Sequence, residues 1–229
     1  MGNKMESIIF TKTYPQPPVN RPEILRYMRC GDAGGEFDEL LEACLSELLP
    51  RLSYKVCWRV SDISDDVVKT SSRVLSRALQ GCDKLVLFAA TIGLAPDRLI
   101  AKYGRLSPSK ALCMQAIGAE RIESLCDMFC EEIAADFAEK GYHARRRFSP
   151  GYGDLPLDIQ KAIFQSLDCP RKIGLSLNDS LLMSPSKSVT ALIGLSSESS
   201  CIQDEDGNST SNHKNCAACN KADCLFREA

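Results

Sequence analysis

The sequence predicts an α+β fold built around one long central helix and ending in a flexible tail. Apolar residues recur every three and four positions across residues 107–140, the period of a helix. Short segments at 54–60, 85–90 and 189–195 read instead as strands, by alternation or by unbroken apolar character. After Leu195 the composition turns to Ser, Asn, Asp, Glu and Lys, too polar to offset the entropy of ordering.

Residues 37–49 place Phe37, Leu41, Cys44, Leu45 and Leu48 on one helical face, and Pro50 ends that helix. Tyr54, Val56, Trp58 and Val60 alternate with Lys55, Cys57 and Arg59, which predicts a strand covered on one side. A helix at 71–79 leads through Gly81 to the strand 85–90, whose apolar run predicts cover on both faces. A helix at 97–103 follows, and then the long one. Ser107 is its expected cap, Pro108 suits its first position, Gly141 closes it, and Gly118 is a point at which it could divide. Its core stripe is Ile122, Leu125, Phe129, Ile133 and Phe137. Beyond a Gly- and Pro-rich turn at 149–156 come a helix at 157–167 and strands near 180–183 and 189–195. The expected organisation is a folded domain over 1–195, a linker over 196–215 and a Cys-rich tail over 216–229.

The 229 residues are 44% hydrophobic and 25% charged, with a net charge of -2. Such a balance argues against a general electrostatic grip on nucleic acid or anionic lipid, which needs clustered Lys and Arg. No apolar run approaches the roughly 18 residues of a membrane span. The 12 cysteines fall at irregular spacings, many inside helical patterns, which reads as a reducing compartment. With no leader-like pattern before Tyr14, the expected location is the cytoplasm.

Three groups of residues could carry chemistry. The run from Arg145 to Pro156 joins guanidinium groups, able to fork onto a carboxylate, to a turn in which Gly151 lets backbone approach a ligand and Tyr152 offers a ring. The same run also reads as a charged helix end followed by a loop. Glu123 sits on the long helix among Ala116, Ala119, Cys126 and Cys130, either a carboxylate in a groove of small side chains or a helix-packing glutamate. In the tail, Cys216, Cys219 and Cys224, completed by Cys201 or His213, have spacings suited to zinc or an iron–sulfur cluster, or else form a reactive thiol cluster. The cysteines within helices and beside strands are expected to be small buried hydrophobes. No phosphate loop, dinucleotide fingerprint, serine elbow or zinc-protease motif is present.

Arg147-Phe148-Ser149-Pro150-Gly151-Tyr152, followed by a helix and by Ile173-Gly174-Leu175-Ser176-Leu177, resembles the activation (reactivation) domain of cobalamin-dependent methionine synthase. The stretches from Met183 to Thr190 and from Phe88 to Gly93, with Ala116-Ile117-Gly118, are similar to the same family. The resemblance covers about residues 23–195 and points to a short, stand-alone branch with a Cys-rich tail. It implies a curved antiparallel sheet flanked by helices and an S-adenosylmethionine site at Arg147, Ser149, Gly151, Tyr152 and Glu123. It also implies a role in restoring methylcobalamin from oxidised cob(II)alamin, the cobalamin being carried by a partner methionine synthase. The electron would come from a flavodoxin-like or ferredoxin-like donor. Another corrinoid protein as partner is the alternative, as is a non-catalytic interaction module whose cysteine tail is the active part. No catalytic side chain is expected, since a sulfonium methyl donor and reduced cobalt need positioning and little else. The chain departs from the family at Gly153-Asp154-Leu155-Pro156, where a Pro-Ala-x-Pro-Asp-like run is usual, in lacking a later site tyrosine, and in its tail.

Overall fold

The most apolar strand of the sequence lies at the centre of the sheet. In the computed structural model, which describes residues 8–29 and 36–197, the elements run β1 (Phe10–Thr13), α1 (Arg21–Met28), α2 (Glu36–Leu48), β2 (Lys55–Asp62), α3 (Arg73–Ala78), β3 (Lys84–Thr91), α4 (Ala95–Leu106), α5 (Pro108–Ala138), β4 (His143–Ala144), α6 (Ile159–Leu167), α7 (Cys169–Ile173), β5 (Ser176–Leu177), β6 (Met183–Ser184) and β7 (Ser188–Ser196). Five strands form a curled antiparallel sheet in the order β1-β2-β3-β7-β4, and β5 pairs with β6 in a small ribbon.

The two faces of β3 are read directly by alternation. Val86, Phe88 and Ala90 pack with Leu125, Phe129 and Ile133 of α5, while Leu85, Leu87 and Ala89 pack with Ile163, Leu167 and Ile173 of α6 and α7. Each fully buried Leu or Phe stabilises the fold by about 1.5–3 kcal/mol, so this strand explains why the sheet is sandwiched. β2 differs from the half-covered strand expected: Cys57 is wholly buried and Arg59 nearly so. α6 and α7 cover its second face, and Arg59 is accommodated there by Ser166 and by Asp65 at 2.6 Å.

α5 is undivided over 31 residues, about 46 Å at 1.5 Å per residue. Gly118 serves close approach instead of a break, because a Cβ there would lie 2.9 Å from Cε of Lys187. Pro108 stands in the first turn as expected, whereas Ser107 makes no side-chain cap and its Oγ lies 3.3 Å from Oγ of Ser109. The C-terminal part of α5 covers the sheet. Its N-terminal part extends into a separate core with Ile24 and Met28 of α1, Leu41 and Leu45 of α2, and Leu99 of α4.

Several elements carry no sequence period. β1 is exposed at all four positions and is recognisable only by pairing with β2. α1 holds through Asn20, whose side chain accepts the N–H of Glu23, and through docking on α5. The strand expected near 180–183 shrinks to the two residues of β6, and α6 begins at Ile159 because 157–158 belong to the turn before it.

The path from residue 14 to α1 is fixed by a buried pair on α5. Arg121 is fully buried and Glu120 nearly so. Arg121 donates to the carbonyls of Pro17 and Pro18, each at 2.7 Å, and to Glu120, which in turn accepts the N–H of Asn20 at 3.0 Å and the Ser124 hydroxyl at 2.8 Å. A buried ion pair persists when its remaining donors and acceptors are satisfied, and here the chain's own backbone satisfies them.

Candidate functional site

Arg147 follows β4, where the chain runs along the outer side of β7. The N–H of Arg145 donates to the Gly194 carbonyl, and Phe148 and Leu192 exchange two backbone hydrogen bonds at 2.8 and 2.9 Å. This register sends the Arg147 side chain to α5. Its Nη2 donates to Oε2 of Glu123 and its Nη1 to Oδ1 of Asp127, both at 2.5 Å. Glu123 and Asp127 are one helical turn apart and therefore share a face, so one guanidinium spans both.

The trio is largely withdrawn from water: the Arg147 side chain is 19% exposed, and those of Glu123 and Asp127 are 32% and 24%. Burial works against the guanidinium's charge, but Cys126, Glu123 and Asp127 outweigh it and hold the Arg147 pKa above its ordinary value. Burial pushes the Cys126 thiol well up, and that of Cys130 up as well, so the carboxylates account for the effect. On the other side of Glu123, burial followed by that carboxylate pushes the Tyr27 phenol of α1 up to about 12.

The turn after Arg147 is locally determined. Tyr152 N–H donates to Ser149 O, Leu155 N–H to Tyr152 O, and Gly151 N–H to Leu155 O at 2.9 Å. Gly151 has φ +85°, and a Cβ there would press on Leu157 at 3.2 Å, so glycine is required twice over. Pro150 and Leu155 are buried, and the Tyr152 ring stands 70% exposed, edge-on to Phe148 at 5.7 Å. Asp154 ties the turn to α3.

The structure thus joins Glu123 to Arg147 and continues the chain from there through Ser149 and Gly151 to Tyr152 at the rim. The small-residue groove around Glu123 is narrower than its sequence suggests, because Ala116 and Cys126 are buried in packed cores and only Ala119 and Cys130 are partly open. Two neighbours were not singled out from sequence. Asp127 was detectable as the acid one turn beyond Glu123, whereas Tyr27 lies almost a hundred residues away with no local signal. In the Thr91-Ile92-Gly93 segment, where β3 ends, Thr91 Oγ1 accepts the Gly93 N–H and the Ser188 hydroxyl. Cys201, Cys216, Cys219, Cys224 and His213 lie outside the described residues, and among the described residues no cluster of three or more potential metal ligands occurs. Cys44, Cys57, Cys82, Cys113, Cys126 and Cys169 are buried free thiols, as expected of core cysteines.

No family profile matches the chain, and no curated protein matches it. Among solved structures it is similar to the MetH reactivation domain bound to AdoHcy, with a TM-score of 0.58, 15% identity, and 82% of this chain and 78% of that chain covered. At that identity the likeness shows the fold. None of the helices described is long and apolar enough to cross a membrane.

Proposed function

We propose that this chain binds S-adenosylmethionine and serves as a reactivation component for a cobalamin-carrying methionine synthase, presenting the cofactor to a partner whose cobalamin has been oxidised. The observation that supports this reading best is the union of Arg147 with Glu123 and Asp127 at the entrance to the Gly151 turn, in a fold shared with a domain whose structure holds AdoHcy.

The residues present suit such a ligand. Ser149 and the backbone around Gly151 lie on a turn whose shape a positive φ fixes, which can bring the Ser149 hydroxyl and the Gly151 carbonyl to a ligand. Tyr152 supplies an exposed aromatic face at its rim. Glu123 and Asp127 supply negative charge for the ligand's cationic groups, and Arg147 fixes where that charge points. Bound S-adenosylmethionine supplies a methyl group already activated by its sulfonium. The chain's own contribution is orientation and exclusion of water, and no general base is needed.

The corrinoid protein would meet the open side of the turn, and a flavodoxin-like or ferredoxin-like donor would supply the electron. The test is calorimetric titration of S-adenosylmethionine into the wild type and Arg147→Ala. Binding by the wild type and its loss in the variant is the expected result. A wild type that binds no S-adenosylmethionine, alone or with a cobalamin-loaded methionine synthase, would overturn the reading.

A further inference from the structure

The sequence suggested that Arg147 grips a ligand carboxylate with the fork of its guanidinium. The geometry assigns that fork elsewhere, since Nη1 is taken by Asp127 and Nη2 by Glu123. Two carboxylates around one guanidinium leave the trio with a net charge of -1. All three side chains are less than a third exposed, so water screens this charge weakly compared with a surface pair. A site of that sign attracts a cation and repels an added carboxylate.

We propose that Asp127 is a specificity-determining residue: by occupying the second arm of Arg147 it turns the site from an anion clamp into a cation-selective one, favouring a permanently charged sulfonium over the neutral thioether. This rests on the reading of the site as one for S-adenosylmethionine. Without Asp127, Glu123 and Arg147 would neutralise each other and the discrimination would fall. The device also suits a methyl donor, because the spent ligand, S-adenosylhomocysteine, has lost the positive charge along with the methyl group and so loses the attraction that held it.

The two ligands share adenosine, ammonium and carboxylate and differ by one methyl group and one unit of charge. Their affinity ratio therefore isolates the response to charge plus a small apolar contribution from the methyl, and comparing the ratio between variants removes the latter. The experiment is calorimetric titration of both ligands into the full chain as wild type, Asp127→Asn and Glu123→Gln. Asp127→Asn keeps the shape and removes the charge. The expected result is a wild type that prefers S-adenosylmethionine and an Asp127→Asn variant in which that preference falls about tenfold, a change within reach of one charge at a few ångströms in a partly dry site. Glu123→Gln, removing the same charge from the other arm, should lower the ratio in the same direction.

If Asp127→Asn does not fold, Asp127→Ser takes its place: a preference for the sulfonium that falls in this variant supports the proposal, and equal affinity of the wild type for the two ligands overturns it. A ratio unchanged in Asp127→Asn, with both ligands still binding, overturns the role of Asp127 while leaving the cofactor reading intact. Failure of the wild type to bind either ligand overturns both.

Discussion

Asp154, in the turn that follows Arg147, caps a helix that begins 81 residues earlier: its carboxylate accepts the N–H of Arg73 at 2.8 Å and that of Val74 at 3.2 Å. It also accepts the Ser72 hydroxyl at 2.5 Å, and Ser72 in turn caps α3 through Leu75 N–H. A carboxylate at a helix N-terminus meets unpaired N–H groups and the positive end of the helix dipole. The ligand turn is thereby held to the sheet at Phe148 and to α3 at Asp154, so its shape is set from both ends.

This bond has a pH signature. The Ser72 hydroxyl foremost, then the Arg73 N–H, lowers the Asp154 pKa below the ordinary 3.8. A carboxyl group whose folded pKa is depressed contributes stability above its unfolded pKa and loses it as pH falls through the folded one. Asp154→Ala should therefore lower the urea midpoint at pH 7, and the gap to wild type should close progressively below about pH 4. A gap of constant size between pH 7 and pH 2.5 would refute the assignment.

Arg147→Ala should cost stability as well as ligand. Removing the guanidinium leaves Glu123 and Asp127 as neighbouring like charges on one helical turn, a penalty of about 1–3 kcal/mol given their partial exposure. Adding Glu123→Gln and Asp127→Asn to Arg147→Ala should recover part of it, because the repulsion between two carboxylates one turn apart is then gone. Urea denaturation of the single and triple variants measures this, and a triple variant no more stable than the single one would contradict it.

Arg121→Met should be the more damaging substitution, at about 3–5 kcal/mol, because it strands a buried Glu120 and frees the carbonyls of Pro17 and Pro18. The loss should be local first. Hydrogen exchange of Ile24 N–H, which donates to Asn20 O, should accelerate more than that of Phe88 in the central strand.

How far these relationships could be read from the chain depends on whether a local period encoded them. α2 and α5 carry a three-to-four-residue repeat because each buries one stripe, β3 and β7 carry an almost unbroken apolar run because both of their faces are covered, and the sequence reading places all four. β1 lacks such a stripe, every residue of it being exposed, and α1 buries only Ile24 and Met28, a single helical repeat, and is fixed by Asn20 and by the distant Glu120. Arg59 and Cys57 look like the wet side of a strand until α6 and α7 are laid over them. At the candidate site the pairing of Arg147 with Glu123 spans 24 residues, so each residue is visible singly and their union only in the fold. Asp127 needed no more than a helical wheel.

Gly194→Ala tests the packing between β7 and the end of α3. No positive φ calls for glycine at this position; space does. A Cβ on Gly194 would lie 2.6 Å from Sγ of Cys82 and 2.9 Å from Cδ2 of Leu79. Cys82 is held near its position by the backbone, its N–H donating to Leu79 O at 3.0 Å and the neighbouring Asp83 N–H to Leu195 O at 2.8 Å, so it has little room to retreat. The expected cost is about 1–3 kcal/mol, the range for overpacking a closed site. Gly118→Ala provides the contrast, because its crowding comes from a single flexible side chain, that of Lys187, whose Cε, Cγ and Cδ would lie 2.9, 3.1 and 3.2 Å from the added Cβ and which can shift by rotation, while alanine improves the helix by about 1 kcal/mol. Gly118→Ala should therefore leave the urea midpoint close to wild type, and Gly194→Ala should lower it clearly. Equal losses in the two variants would show that Lys187 is as fixed as Cys82, and that its passage across α5 is a packed contact and not a movable one.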